Sequence, residues 1–180
     1  MGARRNKSTR KLTAAAMCVA ISVVLLTLGS LIEVLDISMA VIASLGVVFG
    51  VIELGGKYPY LIYAATAILS LVLPLANKTP ALLYACFAGF YPILKNVFEG
   101  HFSRMIAWVL KTTVFLVGAA IDIFLMLKFF FVGDLAYQDW YPLLILPLIA
   151  IFVLYDVALT RLITAYMLRW RHRLRIRFDD

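Results

Sequence analysis

Residues Arg4–Asp36 read RRNKSTRKLTAAAMCVAISVVLLTLGSLIEVLD. The basic residues Arg4, Arg5, Lys7, Arg10 and Lys11 precede an apolar run, and the acidic Glu33 and Asp36 close it. A helix needs about 20 mainly apolar residues to cross the hydrocarbon of a bilayer. Basic residues are held on the cytoplasmic side, so the charges give such a helix a direction. The stretch predicts a helix from about Leu12 to Leu35 that starts in the cytoplasm. Its apolar run is longer than that of a secretory leader, and no small-x-small cleavage pattern follows it cleanly. The helix is therefore expected to be retained.

The rest of the chain repeats this pattern. Of 180 residues, 64% are hydrophobic and 15% charged, and the mean hydropathy is +0.96. Soluble domains are about half apolar and about a quarter charged. A water-soluble globule is excluded, and the length suits one domain. Five further apolar segments follow, at about Ile37–Leu54, Tyr58–Ala76, Ala81–Val97, Met105–Val132 and Tyr141–Leu168. Glu53-Leu-Gly-Gly-Lys57 is a short turn between two of them. The fold class predicted is an all-α membrane protein, a compact bundle of six transmembrane helices. Residues 1–11 form a basic cytoplasmic N-terminus, 12–168 the six-helix domain and 169–180 a basic cytoplasmic tail.

Six passes put both termini on one side. With the start in the cytoplasm, the inner segments hold the five basic residues of the start, Lys57, Lys95, Arg104, and Arg169, Arg171, Arg173, Arg175 and Arg177. The outer loops hold Lys78, with Lys128 near an edge, and four acids: Glu33, Asp36, Asp134 and Asp139. This is a strong positive-inside bias. The net charge of +7 is thus explained by topology and by attraction to anionic membrane lipid. Nucleic acid is not an expected partner, because basic tails beside apolar spans are common.

Membrane enzymes leave polar signatures, and here they are missing. The sequence has no His-Glu-x-x-His, no Gly-x-Ser-x-Gly, no phosphate loop and no aspartate cluster. Cys18 and Cys86 lie inside apolar runs without metal or redox spacing. No enzyme activity, metal or cofactor is expected.

Ionisable residues inside spans are costly, so each is a candidate functional group. At about 1.5 Å per residue, Asp122 lies roughly 22 Å from the inner side, in the outer half. Its carboxylate suits a polar or cationic ligand, or else a hydrogen bond to Tyr or Thr within the bundle. Asp156 falls in the inner half, near the level of Lys111, with Arg161 about one turn closer to the cytoplasm. These three are expected to form an inner cluster. It is either a salt bridge locking two helices or a surface that a partner senses.

The outer loops supply Glu33, Asp36, Asn77 and Trp140. Aromatic residues at this edge anchor the membrane belt or line a ligand mouth. Tyr84, Tyr91 and Lys95 share a helical face by their spacing. The outer-site candidates are thus Glu33, Asp36, Asn77, Tyr84, Asp122 and Trp140. In Gly89-Phe-Tyr-Pro-Ile-Leu-Lys95, Pro92 beside Gly89 predicts a kink. Lys95, just inside the inner boundary, is expected to snorkel outward and to face a partner subunit. Ala16 and Ala20 form a small-xxx-small pair that lets two helix backbones approach. The pair packs inside the bundle or docks a second membrane subunit.

Six spans in this length, both ends inside, and Ala16-x-x-x-Ala20 resemble the substrate-binding S components of energy-coupling factor transporters. Val51-Ile-Glu-Leu-Gly-Gly-Lys57 and Tyr91-Pro-Ile-Leu-Lys95 also look like stretches found in a group of small Gram-positive membrane proteins. The first resemblance implies a vitamin-like micronutrient bound near the outer face, with the Glu33–Asp36 loop helping to close the site. It implies that Ala16 and Ala20 meet a transmembrane coupling subunit, and that two ATPase subunits supply energy. No thiamine, riboflavin, biotin or folate signature is present, so no ligand residues carry over. A six-span structural protein, similar to the rod-shape protein of cell-wall elongation, is the alternative class.

Overall fold

A computed structural model describes residues 2–73, 76–129 and 141–170. All secondary structure among them is helical: α1 (Gly2–Leu31), α2 (Asp36–Phe49), α3 (Tyr58–Val72), α4 (Thr79–Leu83), α5 (Tyr91–His101), α6 (Arg104–Phe129) and α7 (Tyr141–Ala165). A short 3₁₀ turn, Glu33–Leu35, joins α1 to α2. Three π turns, Gly50–Leu54, Tyr84–Ala88 and Tyr166–Trp170, extend α2, α4 and α7. The α1 helix runs without a break through the basic start.

Five helical segments are long and apolar enough to cross a membrane: Ser8–Leu31, Asp36–Leu54, Thr79–His101, Arg104–Leu125 and Ile149–Leu168. The expected sixth, α3, is shorter than anticipated and ends at Val72. The next residue, Leu73, takes φ −60° and ψ 140°. It precedes Pro74, and a residue before proline is pushed out of the α region. Lys78 then turns back and donates to the carbonyls of Leu71 and Leu73, which the ended helix leaves open.

The helices run alternately up and down. The end that carries the chain start, the Gly55-Gly56 turn and the α5–α6 connection is here called proximal, and the opposite end distal. At the proximal end Lys11 Nζ donates to the Leu54 carbonyl at 3.1 Å, and Tyr166 to Glu53 at 3.3 Å. Gly55 and Gly56 take φ values of 63° and 56°, the left-handed region that lets the chain reverse there.

The α1–α2 contact explains the small residues of both helices. Ala15, Ser22, Leu26 and Ser30 are buried at spacings of seven, four and four, which is one stripe of a helix. They face buried Ala40, Ala43 and Val47. Ser22 donates to the Ala43 carbonyl at 2.9 Å. A Cβ at Gly46 would lie 2.7 Å from Ser22 Oγ, so a larger residue there would push that hydroxyl off its bond to Ala43.

The segment Thr79–His101 is broken inside, as Pro92 predicts. Gly89 N–H bonds to the Tyr84 carbonyl at 2.8 Å, one residue beyond the α pattern. The Ala85 carbonyl, left without its usual donor, accepts from the Tyr63 hydroxyl at 2.8 Å. Pro92 sits in the first turn of α5, where its missing N–H costs nothing. The extra residue also separates two side chains expected on one face. Tyr84 joins the core with Leu26, Val47 and Ile62, whereas Tyr91 joins Phe87, Phe115 and Phe152. In that second core Phe115 and Phe152 stack at 4.6 Å, tying α6 to α7.

Candidate functional site

The polar centre of the molecule is a closed set of charges on α5, α6 and α7. Lys95, Lys111 and Asp156 are 2%, 3% and 3% exposed. Asp156 Oδ1 accepts from Lys95 Nζ and from the Tyr91 hydroxyl, each at 2.5 Å, and Oδ2 lies 3.5 Å from Lys111 Nζ. Glu99 completes the square. It is 2.9 Å from Lys95 and is also paired with Lys111. Its side chain is 46% exposed, so the square reaches the surface there. Two cations and two anions cancel, which is the condition for burying them together.

Sequence placed Lys111 and Asp156 together, and they meet. Arg161 is nearby but outside the square. Lys95, Tyr91 and Glu99 are the members that the sequence does not place with Asp156. The spacing Tyr91-x-x-x-Lys95-x-x-x-Glu99 puts all three on one face of a helix, and that was the available signal. Lys95 departs from the expected snorkelling: it points into the bundle. The reason is the π turn and the break at Gly89–Phe90, which re-aim α5, together with a carboxylate across the bundle.

Beside the square, at the proximal end, opens a cavity of about 570 Å³. Glu99, Lys111 and Asp156 form its inner wall, and Arg104, Trp108 and Arg161 its mouth. Lys111 Nζ lies 5.6 Å from the Trp108 ring centroid, within cation–π range. Among the described residues, no carboxylate pairs with Arg104 or Arg161.

The outer-site candidates divide. Asp36 and Asn77 come together: Asn77 Nδ2 donates to Asp36 Oδ2 at 2.7 Å. Asn77 Oδ1 accepts from Thr79 N and Oγ1, at 2.9 and 2.6 Å, so it also starts α4. Glu33 lies in the adjoining 3₁₀ turn. Tyr84 is fully buried in the core, and its hydroxyl has no hydrogen-bond partner among the described residues. Asp122 lies on α6 near Cys86, and its Oδ1 is buried without a hydrogen-bond partner among the described residues. Trp140 falls outside the described residues. Ala16 and Ala20 are exposed on the outward side of α1.

No group of three or more metal-ligating side chains occurs among the described residues. No family model, no curated protein and no solved structure matches the chain.

Proposed function

We propose that the chain is an integral membrane protein with six passes and both ends in the cytoplasm, and that it acts as a binding subunit docked through α1 on a second membrane protein. Its outward surface supports residence in lipid. Leu12, Ile21, Val24 and Leu28 on α1, Val109 and Ile123 on α6, and Leu154 on α7 are exposed and apolar.

The observation that carries docking is the position of Ala16 and Ala20. The inward stripe of α1 is Ala15, Ser22, Leu26 and Ser30, so the small-xxx-small pair is not spent on the bundle. Between larger outward neighbours it leaves a shallow place where another helix backbone fits. As in the S components that the chain resembles, the partner would be a coupling subunit with two ATPase subunits. The ligand would be a micronutrient held near the outer face by Asp36, Asn77 and Asp122. The unpartnered Asp122 oxygen supports a polar or cationic group there.

The test is co-purification from the native membrane in mild detergent. We expect the wild type to carry a membrane subunit and ATPase subunits. The variant Ala16→Leu/Ala20→Leu should lose them while melting at the same temperature. A wild type that purifies alone sinks the docking assignment. A fixed scaffold is the alternative, favoured by one observation: every charge of the square is paired within it. Depletion that alters cell shape without creating a nutrient requirement would favour the scaffold.

A further inference from the structure

The proximal cavity has its own chemistry, independent of the α1 docking face. Its lining carries three cations, Arg104, Lys111 and Arg161, against two carboxylates, Glu99 and Asp156. Both carboxylates are committed to lysines within the square, and Lys95 stands behind them. The two guanidiniums at the mouth are the cations left over. Arg104 is also the first residue of α6, a helix of 26 residues. Arg104, Ala107, Trp108 and Lys111 line the cavity as one side face of α6, and the Ala107 N–H is bonded to the Ser103 carbonyl at 2.9 Å. Two guanidiniums without a carboxylate partner among the described residues thus line one opening, and guanidiniums are donors that bind phosphate oxygens bidentately. Phe102, Trp108 and Val157 supply apolar surface beside them, and Thr160 also lines the cavity, its hydroxyl donating to the Asp156 carbonyl at 2.7 Å. The volume falls within the roughly 300–1,000 Å³ typical of small-molecule sites.

We infer that this cavity binds a phosphate-bearing ligand from the proximal side, with the phosphate between Arg104 and Arg161 and an organic portion against Trp108 and Phe102. Two sources share this chemistry. One is the headgroup of an anionic phospholipid, since basic pockets between helices at the cytoplasmic boundary suit such headgroups. The other is a soluble phosphorylated small molecule.

The experiment uses the full chain purified in neutral detergent, followed by thermal unfolding. One arm titrates phosphatidylglycerol in mixed micelles against phosphatidylcholine. The other titrates glycerol phosphate and inorganic phosphate in solution. Arg104 and Arg161 are exposed, so Arg104→Gln/Arg161→Gln should fold. Each single variant provides the same comparison should the pair not fold. Lys57→Gln, an exposed cation of the same end outside the cavity, controls for general surface charge.

We expect at least one probe to raise the melting temperature of the wild type and of Lys57→Gln. The double variant should need at least tenfold more probe for the same shift. A response to phosphatidylglycerol alone identifies the lipid source, and a response to glycerol phosphate identifies the soluble one. No response to any probe, a response kept in the double variant, or an equal loss in Lys57→Gln overturns the assignment. None of these outcomes touches co-purification through Ala16 and Ala20.

Discussion

Lys95 Nζ sits 2.5 Å from Asp156 Oδ1, and the two side chains are only 3% and 4% exposed although 61 residues separate them in sequence. This pair joins α5 to α7 across the interior, and Lys111 and Glu99 hold it from α6 and from the surface. Its energetics follow from charge balance. Removing one partner of a buried pair leaves an uncompensated charge and costs ~3–5 kcal/mol.

We therefore expect Lys95→Met alone, or Asp156→Leu alone, to lower thermal stability in detergent strongly. Each single change leaves the square with a net charge. The double variant Lys95→Met/Asp156→Leu leaves Lys111 facing Glu99, which is neutral again. Its loss should be well below the sum of the single losses, a coupling that a double-mutant cycle reads. Additive losses would show that the pair does not act as a unit.

Tyr91 allows a finer cut. Its hydroxyl donates to Asp156 at 2.5 Å while its ring packs on Phe87 and Phe152. Tyr91→Phe keeps the ring and removes the donor, and a hydrogen bond to a charged group is worth about 1.5–3 kcal/mol. Tyr155→Phe removes only a 3.3 Å contact with Ser44. We expect Tyr91→Phe to lower the melting temperature clearly more than Tyr155→Phe. Equal effects would mean that the carboxylate does not need the Tyr91 hydroxyl.

Glycine positions separate packing from propensity. A Cβ at Gly118 would lie 2.9 Å from the Cys86 carbonyl oxygen, a backbone atom that cannot swing away. Gly118→Ala should push α6 from its neighbour at a cost of ~1–3 kcal/mol. A Cβ at Gly100 meets nothing within 4 Å. Gly100→Ala should be neutral or gain up to roughly 1 kcal/mol from helix propensity. Unfolding curves of the two variants give the comparison. A Gly118→Ala protein as stable as wild type would count against this helix contact.

Membrane orientation can be read by labelling. In a Cys18→Ala/Cys86→Ala background, single cysteines are placed at Ala76, Lys57 and Ser103, all exposed. With an impermeant maleimide, Ala76→Cys should react in intact cells. Lys57→Cys and Ser103→Cys should react only after permeabilisation. The reverse pattern would invert the protein in the membrane.

Much of the helical layout was legible because it depends on composition. Apolar runs long enough to bury their own backbone bonds had one reasonable form, and their ends were marked by charges, Gly-Gly and proline. The α3 end at Val72 was misjudged because the apolar pattern continues through Leu75 while the backbone obeys Pro74. The pairing of Lys111 with Asp156 was legible from depth alone, since two opposite charges at one level on neighbouring helices seek each other. The inward turn of Lys95 was not. Depth says how far a side chain lies along a helix, but its direction depends on the rotation of that helix. A π turn changes the rotation without any change in hydrophobicity. Asp36 with Asn77 shows the same limit from the other side: both were candidates separately, and only the fold makes them one hydrogen bond.

The π turn at Tyr84–Ala88 therefore has a genetic meaning. Relative to a regular helix it holds one residue more per turn, and one residue corresponds to about 100° of rotation. A single-codon deletion within that turn would leave composition, charge and hydropathy almost untouched. Removing the extra residue lets the turn close as regular α-helix, so Tyr91, Lys95 and Glu99 keep their direction toward Asp156. The same deletion between Tyr91 and Lys95, in regular helix, would swing Lys95 and Glu99 by about 100°. In this segment the position of a gap, rather than the kind of residue lost, decides where the charges point: the π turn absorbs the loss of one residue, and the regular helix of α5 does not.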